Sequence, residues 1–203
     1  DGDHIEAFTS PSLDQQAEYE LIDAKHHLVM PGLINTHTHV AMSLLRGYGG
    51  GTSLHEWLND YIWPAEAKMD KECIRAGVGL GLLEMIASGT TCFADMYDHM
   101  DVVARVVSES GMRANLCRGM IGMNDPEDRS IAENDDLFSK WHKNAEDRIR
   151  IWYGPHAPNT CPAAYLERVL ERATDKNTGI HIHLAETKDE YRGAGTMQET
   201  STR

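Results

Sequence analysis

From Pro31-Gly32 to about residue 184 the sequence repeats one alternation: a short apolar run, then a longer stretch with apolar residues at helical spacing. Strands joined through helices pair in parallel, because the helix carries the chain back along the sheet. The spacing predicts strands at residues 32–36, 90–95, 113–117, 148–153 and 180–184. It predicts helices at 54–62, 71–88, around Val102 to Val107, at 131–145, and from Pro162 onward, proline being tolerated in a first helical turn. In the second helix Ile74, Val78, Leu82 and Met85 share one face, and Gly89 ends it. The fold class is therefore α/β. No G-x-G-x-x-G follows the first strand, and Gly49-Gly50-Gly51 lacks that spacing, which disfavours a doubly wound nucleotide fold. An eightfold (β/α)8 TIM barrel needs ~250 residues, and only about 170 of the 203 follow the N-terminal piece. Five strands thus predict part of a barrel, strands one to five, over residues 30–203. Residues 1–29, with apolar pieces at 5–8 and 19–22 around a turn-rich 9–12, predict a separate N-terminal β element. Asp1 at the start and the polar stretch 193–203 read as the ends of a fragment.

Charge narrows the function classes. Nineteen basic and thirty-two acidic side chains give a net charge of −13, which argues against nucleic acid or an anionic membrane surface as partner. No apolar run approaches the ~20 residues of a membrane span. The expectation is a cytoplasmic protein acting on a small molecule, with a homo-oligomer compatible. Cys73, Cys92, Cys117 and Cys161 form no C-x-x-C pair and read as reduced thiols. Histidine is the anomaly, with eleven copies and two H-x-H pairs.

His37 and His39 stand two apart at the end of the first strand, so both imidazoles point to one face. Such a pair is half of a metal site, or else one core and one loop histidine. The second pair, His181 and His183 on the fifth strand, shifts the balance toward the metal site. Ile180, Ile182 and Leu184 alternate with it and face the helices, leaving both histidines toward the barrel interior. Strand carboxyl ends are where such barrels place their chemistry. Glu186, three residues beyond His183, can reach the same cavity as a proton shuttle, or be an exposed loop acid. His156 is fixed between Pro155 and Pro158 at the end of the fourth strand. The remaining histidines converge on nothing and read as surface or structural.

Several separated motifs resemble one family. The run from Val29 through Pro31-Gly32-Leu33-Ile34-Asn35-Thr36 to His37-Thr38-His39 resembles the first-strand signature of the amidohydrolase superfamily. Ala41 to Tyr48, then Trp57-Leu58 and Trp63-Pro64-Ala65-Glu66, are similar to the 5-methylthioadenosine/S-adenosylhomocysteine deaminases of the chlorohydrolase-like group. Tyr153 to Pro158 and His183-Leu184-Ala185-Glu186-Thr187 follow in the same order. The resemblance covers nearly all of residues 20–192 and implies a β-sandwich flanking the barrel, to which residues 1–29 would belong.

What it implies for the site can be placed residue by residue. His37, His39 and His183 match ligands of one divalent metal, most readily Zn2+. Glu186 matches the acid/base that protonates the purine ring as metal-bound hydroxide attacks C6 and ammonia leaves. Glu66 matches the group holding the ribose hydroxyls, and His156 a substrate histidine. Arg118 and Arg129 fall near arginines that grip a homocysteine carboxylate, a task that suits bidentate guanidinium. The family's histidine after strand six and its metal-binding aspartate after strand eight have no counterpart here, so the 203 residues alone are expected to be inactive and poorly folded. Guanine, cytosine or triazine hydrolysis keeps the chemistry and changes the substrate. A metal-binding subunit without catalysis is the reading from another class.

Overall fold

The structure, a computed structural model, describes residues 22–125, 127–188 and 190. The chain divides into two units, residues 1–31 and 32–203. In the first, residues 22–31 are exposed and turn once, His27 N–H donating to the Ala24 carbonyl at 3.0 Å. The N-terminal strands expected at 5–8 and 19–22 lie outside the described residues, Ile22 excepted. Among the described residues no helix is long and apolar enough to cross a membrane.

The second unit opens with β1 (Leu33–Thr38), a 3-10 turn (Val40–Leu45), and a helical run of α1 (Leu54–Glu56), a π-helical turn (Trp57–Ile62) and α2 (Trp63–Glu66). Next come α3 (Lys71–Ala87), β2 (Thr90–Tyr97), α4 (Met100–Ser110) and β3 (Arg113–Met120). A 3-10 turn (Gly122–Asn124) precedes α5 (Arg129–Trp141), the single turn α6 (Asn144–Asp147), β4 (Ile149–Ile151), β5 (Gly154–Pro155) and α7 (Ala163–Asp175). The sheet is parallel throughout, in the order β1-β2-β3-β4, with β5 continuing along β3. This is the α/β alternation expected of a barrel.

Two strand expectations need correction. Of the fourth, 148–153, only Ile149–Ile151 is strand (β4), and Trp152 and Tyr153 separate it from β5. The fifth, 180–184, is a single parallel bridge from Ile180 to Tyr153. Beyond it His181 N–H donates to the Tyr153 carbonyl at 2.8 Å and His183 N–H to the His156 carbonyl at 3.0 Å. The segment thus runs alongside β5 without a full ladder, and Ala185, at φ 55, turns it away.

Local chemistry explains the element ends. Asp70 caps α3 by accepting from Cys73 N–H at 2.9 Å, and Gly89 and Gly111, at φ 83 and 80, supply the left-handed residues after α3 and α4. Asp125 caps α5 with both oxygens, on the N–H groups of Arg129 and Ser130. The four α3 residues expected to face the core are all buried. They pack with Phe93, Val103, Val107, Leu116, Ile149 and Ile151 in one cluster between sheet and helices.

Glycine fixes how β1 exits into this layer. A Cβ on Gly77 would sit 2.2 Å from the Ala41 carbonyl oxygen, and one on Gly81 would sit 2.5 Å from Val40 Cγ2. The Val40–Leu45 turn, which follows His39, therefore rests directly on the α3 backbone. Gly79 has nothing within 4 Å of the same point. Gly79→Ala is expected to stabilise by about 0.5–1 kcal/mol through helix propensity alone. Gly77→Ala gains the same propensity but meets backbone that cannot rotate aside, and should destabilise by roughly 1–3 kcal/mol. Urea midpoints of the two variants check this. Equal shifts would mean the turn is not seated on α3.

Candidate metal centre

His37 ends up on β1, His39 in the residue that opens the Val40–Leu45 turn, and His183 on the segment beyond the Ile180 bridge. Ring centroids are 5.3 Å apart for His37–His39, 5.0 Å for His37–His183 and 5.2 Å for His39–His183. One nitrogen from each ring lies within 4.8 Å of the other two.

Hydrogen bonding settles what these nitrogens present. His39 Nδ1 is 2.7 Å from the Met96 carbonyl and His183 Nδ1 is 2.8 Å from the His156 carbonyl. A carbonyl only accepts, so both Nδ1 atoms carry the hydrogen, and the neutral rings offer bare Nε2 lone pairs. Those two Nε2 atoms face each other at 3.2 Å. Lone pairs at that distance repel, and a shared cation relieves the repulsion. Backbone carbonyls fixing the tautomer from behind are the usual support of metal-binding imidazoles. The donor set therefore fits a divalent metal, with His37 as the third imidazole. Burial, reinforced by His183 and His37 and opposed by the Met96 hydrogen bond, lowers the pKa of His39 and keeps it neutral.

The position of His39 is set from β2. Asp95 Oδ1 accepts from Thr38 Oγ1 and from Val40 N–H, both at 2.7 Å, gripping the residues on either side of His39. Asp95 is fully buried, its Oδ2 has no hydrogen-bond partner among the described residues, and burial pushes its pKa up to about 7. Nothing in the residue spacing singled out Asp95, since its partners lie more than fifty positions away.

The other expected residues ring this centre at different distances. The His156 ring is 5.0 Å from that of His183, with Nδ1 2.9 Å from Thr160 Oγ1. Burial, with His183 and His39 nearby, lowers its pKa to about 4. His181 meets buried Cys117, Nδ1 to Sγ 3.5 Å, and does not join the triad. Glu66 is half-buried and accepts from the Tyr97 hydroxyl at 2.6 Å, and the Tyr97 ring lies 6.5 Å from that of His39. Burial raises the Glu66 pKa against that hydrogen bond. Tyr97, which sequence reasoning missed, is the link between the carboxylate and the triad.

Arg118, at the end of β3, is paired with Tyr97 in the β2–β3 register. Its Nε lies 2.8 Å from Glu133 Oε2 and 3.4 Å from Asp98 Oδ1. Arg129 opens α5, is largely exposed, and places its Nε 3.0 Å from Glu133 Oε1. Glu186 is exposed, and its carboxylate makes no hydrogen bond among the described residues. Its backbone N–H and that of Ala185 donate instead to the two oxygens of Glu190, at 3.1 and 2.9 Å.

Residues 28–201 match the amidohydrolase family. The chain is 52% identical over 171 residues to a 5-methylthioadenosine/S-adenosylhomocysteine deaminase of Syntrophomonas wolfei, covering 84% of this chain and 40% of that protein. It is 51% identical over 172 residues to a 5'-deoxyadenosine deaminase of Methanosarcina barkeri, with the same coverage of each. The chain spans about 40% of the length of these curated relatives. Among solved structures it is similar to a zinc-bound adenosine deaminase from Xanthomonas campestris, with TM-score 0.74 and 36% identity, covering 79% of this chain and 37% of that one.

Proposed function

The chain belongs to the amidohydrolase family, and we propose that it forms part of a zinc-dependent deaminase acting on the adenine ring of S-adenosylhomocysteine or 5-methylthioadenosine. The observation that carries the reading is the pair of bare Nε2 atoms facing at 3.2 Å beside a third imidazole. The names borne by relatives at about half identity support the substrate. Their length, of which this chain spans about 40%, supports a longer protein in which further residues complete the barrel.

His37, His39 and His183 would hold the metal, which when bound acidifies water to a pKa of ~7. The chain's own residues do the rest. Water oxygen bonds to C6, the C6–amino bond breaks, and ammonia leaves. Glu186, at the rim beyond His183, carries one proton of the water to the purine ring nitrogen and the other to the amino group, which departs as ammonia. An exposed carboxylate in the free protein becomes desolvated as the ring covers it. Glu66, held by Tyr97, accepts from the ribose hydroxyls. His156, neutral because it is buried beside other imidazoles, offers Nε2 to the purine. Arg118 and Arg129 face the thioether tail. The enzyme works on a small molecule in the cytoplasm.

The test is ammonia release by the whole protein with S-adenosylhomocysteine, methylthioadenosine, 5'-deoxyadenosine, guanine and cytosine side by side. Turnover of the adenine nucleosides is expected. Activity confined to a free base would discard the roles of Glu66 and the arginines, and silence on all five with metal bound would discard the deaminase reading.

A further inference from the structure

Glu133 bridges Arg118 and Arg129. Its two oxygens are divided between two guanidinium groups, Oε2 on Arg118 Nε at 2.8 Å and Oε1 on Arg129 Nε at 3.0 Å. Arg118 is mostly buried, with a side chain 20% exposed, while that of Arg129 is 82% exposed. The cluster stands at the carboxyl end of β3. There Arg118 neighbours Tyr97, whose hydroxyl donates to Glu66, so the arginine pair and Glu66 stand on either side of one tyrosine. Asp98 Oδ1, 3.4 Å from the Arg118 Nε, is a second internal acid on the same guanidinium.

We propose that Glu133 is a specificity-determining residue: an internal carboxylate that fills the arginine pair and must be displaced by a substrate bearing a carboxylate tail. This rests on the nucleoside reading above and deepens it. Bound to two arginines, Glu133 shows that the pair accepts a carboxylate in a bridging geometry. A tail that brings its own carboxylate replaces one bridge by another and gains only the difference. A nucleoside without such a tail leaves Glu133 in place and gains nothing there. Glu133 therefore narrows the affinity gap between the two substrate types, which lets one site serve both.

Glu133→Gln keeps the size and an acceptor oxygen but removes the charge, releasing Arg129 and leaving Arg118 with only Asp98 and the Gly119 carbonyl. Binding is measured by calorimetry at low salt on the whole protein carrying Glu186→Gln in every sample, which slows turnover so that the heat reports binding. The Kd of S-adenosylhomocysteine should tighten about fivefold, in line with two partly exposed ion pairs. Methylthioadenosine should be unchanged, and Glu133→Asp, which keeps the charge, should tighten neither. Equal shifts for both nucleosides would overturn the inference, since a structural role would act on both. Weaker binding of S-adenosylhomocysteine would also overturn it, because Glu133 would then be holding the tail's ammonium. If neither nucleoside binds any variant, the nucleoside reading fails. The inference then stands or falls on glutarate, a tail without ammonium, whose Kd should still tighten in Glu133→Gln.

Discussion

Glu186→Gln should lower the turnover number of the whole protein by about 10²–10⁴-fold, the range of a removed general acid–base group, while metal content stays at the wild-type level. The substitution keeps size and hydrogen-bonding capacity and removes only the ability to take and give a proton. In the free protein the Glu186 carboxylate touches none of the three histidines among the described residues, so metal binding has no reason to fall. Steady-state kinetics with metal analysis on the same sample checks both halves. Turnover within a few-fold of wild type would make Glu186 an exposed loop acid. Metal lost along with activity would instead make it part of the metal-holding set.

His183→Ala and His39→Ala should each abolish metal retention through dialysis, weakening affinity by at least about 10²-fold, the upper range seen for mere supporting residues. Each change removes one of three imidazoles and one of the two Nε2 atoms that face at 3.2 Å. His181→Ala is the informative companion. It lies two residues from His183 yet meets Cys117, so metal content should hold. Loss of metal in all three variants would mean that the segment 180–184 collapses as a whole and that the histidines are not individually ligands. Stability should follow metal content, since an ion that binds only the folded protein stabilises it by mass action.

The sequence discloses local periodicity well and long-range company poorly. The alternation of strands and helices, the buried α3 stripe from Ile74 to Met85 and the stops at Gly89 and Gly111 are written in neighbouring residues, and the structure follows them. Two H-x-H pairs at strand ends sufficed to suggest that distant histidines converge. The fifth strand is shorter than its alternation predicts, because alternation of apolar and polar residues cannot reveal that only Ile180 finds a partner for a parallel bridge. Asp95, Tyr97 and Glu133 were invisible for a related reason. Each acts through a partner on another element, and an acid or tyrosine in a strand or helix carries no local mark of that role. Glycine inside a helix costs propensity, and at positions 77 and 81 that cost is offset by the close approach of the Val40–Leu45 turn.

Asp95 reaches from β2 to bond the residues on both sides of His39, so the ligand's position depends on a neighbouring strand more than on its own loop. Two residues further along the same strand, Tyr97 holds Glu66 and stands beside Arg118 in the β2–β3 register. On the proposed function, one strand therefore sets both the imidazole that would hold the metal and the carboxylate that would hold the ribose. A change that shifts β2 should move the two together, so their spacing is a property of a single element.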